Sequence, residues 1–250
     1  MQEEIKELNP LGYKTIGKLL KSLAIPAIIA NLVNALYNVV DQIFIGQRVG
    51  YLGNAATNIA FPITTICLAI GLTLGIGGAS NFNLELGKGY PEKSKHTAGT
   101  AASTLIIIGI ILCIIVRIFL EPLMISFGAT DKILEYSMEY TGITSYGIPF
   151  LLFSIGVNPL IRADGNAKYS MVAIVIGAIL NTILDPLFMF VYNWGIAGAA
   201  WATVISQIVS ALLLLIYFPR FKSVKFSLND FIPQLHYLKR IISLGFASFI

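Results

Sequence analysis

Two carboxylates of this sequence lie inside apolar stretches, where a charged side chain is costly. All but two of the 13 acidic residues lie in or beside polar connections, and the exceptions are Asp41 and Asp185. Acids in such positions face a bundle interior or a watery cavity, and they commonly mark ion or proton pathways. An interhelical hydrogen bond is the alternative role for both. Snorkelling to the surface is a further alternative for Asp41, because it lies nearer the end of its stretch.

Amide and hydroxyl side chains accompany both acids. Tyr37 precedes Asp41 by four residues and Asn181 precedes Asp185 by four, so each pair shares one face of a helix. Carboxylate, amide and hydroxyl oxygens are the ligands that a hard monovalent cation or a proton relay needs. Hydrogen bonding between helices is the commoner use of Asn and Thr in membranes, and only convergence with an acid favours the ion-binding role.

The face that carries Asp41 continues towards the N-terminus as a row of polar residues at helical spacing. The row consists of Asn31, Asn34, Tyr37, Asn38 and Asp41. A polar face within an apolar helix predicts that the helix lines a cavity. We expect Asn34, Tyr37 and Asn38 to contact a substrate there.

The segments that must position these residues are typical of a membrane protein. The sequence is 56% apolar and 12% charged, and residues 97–116 and 140–161 contain no charge. A helix needs about 20 apolar residues to cross the hydrocarbon. We therefore predict an all-α, polytopic bundle of six full spans and the start of a seventh near Ile241. The six spans are expected near residues 22–45, 54–82, 97–120, 138–161, 169–192 and 197–219.

Basic residues predict the orientation of this bundle. Of the 17 Lys and Arg residues, only Arg48, Arg117 and Lys132 fall on one side of the predicted membrane. The positive-inside rule makes the opposite side cytoplasmic, including the N-terminus. Residues 1–21 are then an interfacial cytoplasmic segment, 22–219 a six-helix lobe, 220–240 a cytoplasmic linker between lobes and 241–250 the start of a truncated seventh helix.

The orientation places three oxygen-bearing residues at one depth. At a rise of about 1.5 Å per residue, Asp41 lies about 30 Å from Lys21 and Asp185 about 25 Å from Lys168. Span six runs in the opposite direction, and Thr203 lies about 9 Å below its start. Three helices are thus predicted to bring ligands to one layer in the outer half of the membrane.

Other chemistry is disfavoured. Cys67 and Cys113 lie in apolar spans without metal-ligand spacing, and His96 and His236 lie in polar connections far from both acids. There is no phosphate-binding glycine loop and no nucleophile with a base. We expect a protein that is not an enzyme, with no metal, no nucleic-acid partner and no cofactor. Membrane lipid is its expected surroundings, and Pro26 is a predicted conformational hinge of span one.

The motifs that carry this chemistry resemble those of the multidrug and toxic compound extrusion (MATE) transporters, in particular their prokaryotic DinF-like branch. The matching segments are Pro26, residues 37–46 (YNVVDQIFIG), 162–166 (RADGN), 181–186 (NTILDP) and 195–203 (GIAGAAWAT). Together they extend over nearly all of residues 15–220.

The resemblance implies twelve helices in two six-helix lobes around a central cavity, and export of drug-like, often cationic compounds in exchange for Na⁺ or H⁺. It implies a cation site at Asp41, Asn181, Asp185 and Thr203, with Tyr37 beside it. This sequence corresponds to the N-terminal lobe, so a C-terminal lobe is expected on the same chain. A flippase for lipid-linked oligosaccharides and an oligomeric cation channel are the alternatives.

The orientation predicts which connections a reagent reaches from outside the cell. In a background without Cys67 and Cys113, a single cysteine near Tyr90 should be protected from an impermeant thiol reagent added to intact cells. A cysteine near Asn193 should react, because that connection is predicted to be external. The reverse labelling pattern would overturn the orientation.

Overall fold

The computed structural model describes residues 15–246, and every regular element in that range is helical. The helices, in chain order, are α1 (Ile16–Arg48), α2 (Tyr51–Gly87), α3 (Pro91–Ile118), α4 (Leu120–Ser126), α5 (Asp131–Thr144), α6 (Ile148–Ala163), α7 (Ala167–Pro186), α8 (Gly195–Tyr217) and α9 (Leu235–Phe246). Six helical stretches in the described range are long and apolar enough to span a membrane. The predicted all-α bundle of six spans is confirmed.

The spans differ from the prediction at their ends, because backbone hydrogen bonding continues where hydropathy falls. Span one begins at Ile16, and α9 begins at Leu235, before the predicted start at Ile241. Span four is two helices, α5 and α6, separated by a short 3₁₀ turn at Ser145–Gly147. Pro149 near the start of α6 has no N–H to donate, which favours the break. Residues 1–14 and 247–250, within the predicted N-terminal segment and seventh helix, lie outside the described residues.

Glycines allow the helices of the bundle to approach closely. A Cβ atom at Gly75 on α2 would lie 2.6 Å from the carbonyl oxygen of Gly156 on α6. A Cβ atom at Gly77 would collide with the Ile241 backbone of α9. Small residues of this kind bring membrane helices together through van der Waals contact, so α2 holds both α6 and α9.

The helices that carry the predicted site pack directly against one another. α1 packs on α7, α7 packs on α8, and α5 packs on α8. Successive spans alternate in direction along the chain, so the connections form two ends of the bundle. The end that carries Lys88, Arg162 and Lys222 is called the basic end, and the end that carries Arg48 is called the opposite end.

A buried carboxylate fixes the segment that follows α8 at the basic end. Asp164 is fully buried and accepts hydrogen bonds from the hydroxyl of Tyr217 (2.8 Å) and from the backbone N–H groups of Lys222 and Ser223 (both 2.9 Å). Phenylalanine rings of the same segment pack edge-on against Phe218. Residues 221–231 therefore form part of the packed bundle, and their role as a linker between lobes stays a prediction.

We expect Asp164→Asn to destabilise the protein by about 2 kcal/mol, because the amide keeps one acceptor oxygen and turns its own N–H groups towards the backbone donors. The midpoint of thermal unfolding in detergent measures the effect. Asp131→Asn, at an exposed residue at the start of α5, is the matched control. Equal midpoints for the two variants would contradict this role of Asp164.

Candidate functional site

The two intramembrane acids meet. Asp41 on α1 and Asp185, the second-last residue of α7, have side chains within hydrogen-bonding reach of each other. Both are buried, with exposed fractions of 7% and 0%. Two ionised carboxylates this close repel each other strongly where water is scarce, so a proton or a cation between them lowers the energy.

Asn181 and Thr203 complete the group that the sequence predicted. The Nδ2 atom of Asn181 donates to Oδ1 of Asp185 at 3.3 Å and to Oγ1 of Thr203 at 3.4 Å. Asn181 lies one turn before Asp185 on α7, and Thr203 lies on the first turns of α8. The structure thus brings Asp41, Asn181, Asp185 and Thr203 into one contiguous cluster, which we call the acid cluster.

Three buried oxygens of the acid cluster receive no hydrogen bond from any described residue. They are Oδ1 of Asp41, Oδ1 of Asn181 and Oδ2 of Asp185. Buried acceptors without a donor are uncommon in proteins, because each loses the hydrogen bonds that water would give it. Carboxylate and amide oxygens without donors are suited to a proton or to a small cation such as Na⁺.

Tyr140 also belongs to this site, although it was not among the predicted residues. Its hydroxyl lies close to Thr203, and it interacts electrostatically with Asp41, Asp185 and Tyr37. Its ring packs against the small apolar cluster of Ile45, Met189 and Ala199. The available signal was a polar aromatic residue at the start of the fourth predicted span. Sequence spacing did not show that this face of α5 turns towards α8.

Gln42 and Thr57 hold Asp41 from the opposite end of the bundle. Nε2 of Gln42 donates to Oδ2 of Asp41 at 3.4 Å, and the hydroxyl of Thr57 on α2 donates to Oε1 of Gln42 at 3.1 Å. Asn38 and Asn54 lie with Gln42 around a shallow opening on this side. A chain of hydrogen bonds therefore links α2 to the acid cluster through Gln42.

An arginine joins the end of α1 to the irregular end of α7. Arg48 donates through Nε to the carbonyl oxygen of Met189 at 3.0 Å and through Nη2 to Oδ1 of Asn193 at 2.7 Å. Met189 belongs to a π-helical segment, Leu187–Val191, that follows Pro186 directly. The arginine fixes this segment against α1, and so it fixes Asp185 beside Asp41.

A cavity of about 230 Å³ extends from the acid cluster towards the basic end. Asn181 and Thr203 lie at the end of the cavity nearest the acid cluster. Asn31, Asn34 and Tyr37 line the wall formed by α1. Two of the three predicted substrate residues, Asn34 and Tyr37, thus line it.

The remaining predicted residues lie near this cavity without lining it. Asn38 lies at the shallow opening and donates to the carbonyl oxygen of Asn34 at 2.7 Å. Pro26 is buried within the uninterrupted α1, one turn before the cavity begins at Ala30. Its role as a hinge stays a prediction. No cluster of three or more His, Cys, Asp or Glu side chains suited to a metal occurs within residues 15–246.

The family profile and the relatives found by sequence agree with each other. The MatE family profile matches residues 26–187. The multidrug export protein MepA of Staphylococcus haemolyticus (strain JCSC1435) is 25% identical over 241 residues, which are 94% of this chain and 52% of that protein. The chain thus spans about half the length of this relative.

This chain also matches about half the length of solved structures. A crystal structure of MATE in the bent conformation matches with a TM-score of 0.86 and 28% identity, over 99% of this chain and 54% of that one. An outward-facing conformation of a multidrug resistance MATE family transporter of the MOP superfamily matches with a TM-score of 0.83 and 29% identity, over 98% and 54%. Because the profile covers well over half of the sequence, this chain, a multi-pass membrane protein with the fold of one MATE lobe, belongs to the MatE family.

Proposed function

We propose that this chain forms the N-terminal lobe of a cation-coupled antiporter that exports drug-like, often cationic organic compounds across the cytoplasmic membrane. The observation that carries the proposal is the buried contact between Asp41 and Asp185, surrounded by acceptor oxygens that have no donor among the described residues. Such a pair gains stability from a proton or Na⁺, which is the property that a coupling site needs. A C-terminal lobe on the same chain would supply the other half of the central cavity.

Neutralisation of the pair can drive a change of conformation. Without a cation, repulsion between Asp41 and Asp185 favours separation of α1 from α7, and a bound cation favours their approach. A ligand shifts such an equilibrium only by its different affinity for the two conformations. We therefore assign coupling to movement of α1 relative to α7, with Pro26 as the hinge. Cation and substrate then weaken each other's binding by the same factor.

The cavity suits an amphipathic substrate. Asn34 and Tyr37 provide polar contacts on one wall, whereas Leu68 and Leu151 provide apolar surface. The carboxylates of Asp41 and Asp185 do not line the cavity themselves, but they lie beside Asn181 and Thr203 at one end of it and attract positive charge. A flippase for a phosphate-bearing lipid would be expected to line its cavity with several basic residues. Arg162 is the one charged side chain among the lining residues of this described cavity, so a flippase is the weaker alternative. A cation channel would show current without saturable exchange.

We also propose an orientation for the bundle in the membrane. The basic end carries most of the Lys and Arg residues, so we place it in the cytoplasm together with the N-terminus. The shallow opening beside Gln42 then faces outward, and cations reach the acid cluster from that side.

The contact between the two acids predicts that their substitutions are not additive. At alkaline pH, Asp41→Asn or Asp185→Asn should each raise the midpoint of thermal unfolding, because either removes the repulsion. The double variant should raise the midpoint no further than one single variant does, which corresponds to an interaction energy between the two substitutions of roughly 0.5–3 kcal/mol. The gain should shrink as pH falls, since a proton then neutralises the wild-type pair. Additive effects, or effects equal to those of Asp131→Asn, would contradict the contact.

Export itself is tested in the complete product of the gene that encodes this chain. We expect Asp41→Asn and Asp185→Asn to abolish coupled export while leaving the amount of protein in the membrane unchanged, because the amide keeps the shape but loses the charge.

Equilibrium binding of a cationic dye to purified wild-type protein should weaken as Na⁺ or H⁺ concentration rises. Wild-type drug resistance in both variants, or dye affinity independent of Na⁺ and pH, would refute cation exchange.

A further inference from the structure

An uncharged amide side chain separates the shallow opening from Asp41. The opening is lined by the side-chain amides of Asn38, Gln42, Gln47 and Asn54. Asp41 lies behind them, because it is 7% exposed and lines neither this opening nor the cavity. Among these four described amides, Gln42 is the one that donates to Asp41, from Nε2 to Oδ2 at 3.4 Å. Gln42 therefore lies between the opening and the carboxylate.

The hydrogen bond from Gln42 to Asp41 is weak, and its donor has an alternative acceptor. Its length of 3.4 Å exceeds the range of about 2.7–3.2 Å that is typical of N–H···O bonds. Oδ1 of Asn54, on the wall of the same opening, is buried and receives no hydrogen bond from any described residue. The side chain of Asn54 lies against Gly46, one helical turn after Gln42. Movement of the Gln42 amide from Asp41 towards Asn54 would therefore exchange one acceptor for another.

Thr57 on α2 holds the other end of the Gln42 amide without locking it. The hydroxyl of Thr57 donates to Oε1 of Gln42 at 3.1 Å and to the carbonyl oxygen of Asn54 at 2.9 Å. A hydroxyl carries one proton, so the two acceptors share it. The shorter contact, with Asn54, remains if Gln42 moves. Thr57 thus favours the position of Gln42 on Asp41, and the loss of that position leaves no unpaired hydroxyl.

From these contacts we propose that Gln42 is a gating residue for the coupling cation and that Thr57 is its positioning residue. In the closed arrangement, Nε2 of Gln42 occupies Oδ2 of Asp41, the oxygen that a cation arriving from the shallow opening would meet. A cation repels the N–H groups of the amide and attracts its oxygen. Rotation of the carboxamide then releases Oδ2 of Asp41 and presents Oε1 of Gln42 as a transient ligand.

This inference deepens the proposed function and rests on it, because it names the residue that controls entry of the cation to the acid cluster. The two cations that fit the acid cluster, Na⁺ and H⁺, approach the same carboxylate oxygen. The hydrogen bond from Gln42 to Asp41 therefore opposes entry of either one. Opening of the gate is a rotation of one side chain and needs no movement of α1.

The test measures how fast a water-soluble carbodiimide reaches Asp41 in the complete purified gene product in nanodiscs. The reagent adds to a protonated carboxyl group, and peptide mass spectrometry quantifies the adduct. Gln42→Met keeps the length and nearly the volume of the side chain and removes both hydrogen bonds. We expect the rate at Asp41, measured on the acidic plateau of its pH profile, to rise about tenfold in this variant.

The hydroxyl of Thr57 provides a second, independent variant pair. Thr57→Val should raise the rate at Asp41 roughly threefold, because Gln42 then loses one of its two hydrogen bonds. Thr57→Ser should restore the wild-type rate, because it returns the hydroxyl. This pair decides the proposal if Gln42→Met fails to fold, and equal rates in Thr57→Val, Thr57→Ser and the wild type would then contradict it.

Gln47→Ala is the matched control, because it removes an exposed amide that lines the same opening. The fully buried carboxyl group of Asp164, at the basic end, is the internal reference for general loosening of the bundle. An equal rise at Asp41 in Gln47→Ala and Gln42→Met would overturn the proposal, as would an equal rise at Asp41 and Asp164.

The shape of the pH profile separates access from proton affinity. A raised plateau in Gln42→Met means that the reagent reaches Asp41 more often. An unchanged plateau, or a profile that only moves along the pH axis, would overturn the gate, because such a shift reports the affinity of Asp41 for a proton.

The outcome for the gate differs from the outcome for antiport. The ratio of carbodiimide rates between Gln42→Met and the wild type does not depend on export, whereas failure of the antiport proposal appears as dye binding that is insensitive to Na⁺ and pH. Na⁺ added at fixed pH distinguishes the two cations. Protection of Asp41 by Na⁺ supports a gate for Na⁺, and a raised plateau without such protection supports a gate for protons.

Discussion

Two carboxyl groups held together inside a membrane bundle are the constraint on which the rest of the structure depends. Asp41 and Asp185 come from helices that are far apart in sequence, and their repulsion must be opposed by the packing around them. Asn181 donates to Asp185 from one side, and Gln42 donates to Asp41 from the other. The Arg48 guanidinium closes the arrangement by fixing the end of α1 against the segment after α7. Each contact brings the acids together without neutralising them.

The irregular end of α7 serves the same arrangement. Pro186 removes a backbone donor immediately after Asp185, and the chain continues as the π-helical segment Leu187–Val191. π-Helical turns are rare and tend to occur at functional sites, because they cost hydrogen-bond geometry that a regular helix would keep. Here Met189 is fully buried and its carbonyl oxygen accepts from Arg48. The backbone irregularity is thus stabilised by α1, which makes the position of Asp185 depend on α1 as well.

Much of this could be predicted from the sequence, and the remainder could not for a definite reason. Helical spacing identifies residues that share one face, so Asn181 with Asp185 and Tyr37 with Asp41 were predictable. Spacing does not say how a helix is rotated against its neighbours, so the contribution of Tyr140 was missed. From the sequence, Arg162 was assigned only to the basic side of the membrane and to the motif at residues 162–166, although its side chain lines the cavity. Which faces meet is decided by packing over the whole bundle.

The acid cluster and the cavity share Asn181, and this would give the proposed coupling between cation and substrate a short physical route. The Nδ2 of Asn181 donates to both Asp185 and Thr203, while its Oδ1 has no donor among the described residues and the side chain lines the cavity. A cation that engages the carboxylates changes the acceptors available to Nδ2, and a substrate that contacts Asn181 competes for the same amide. The mutual weakening of cation and substrate binding that we propose then needs no long relay between distant sites. It requires only that one amide cannot satisfy both ligands at once, which is a difference in interaction free energy of the kind that linkage demands.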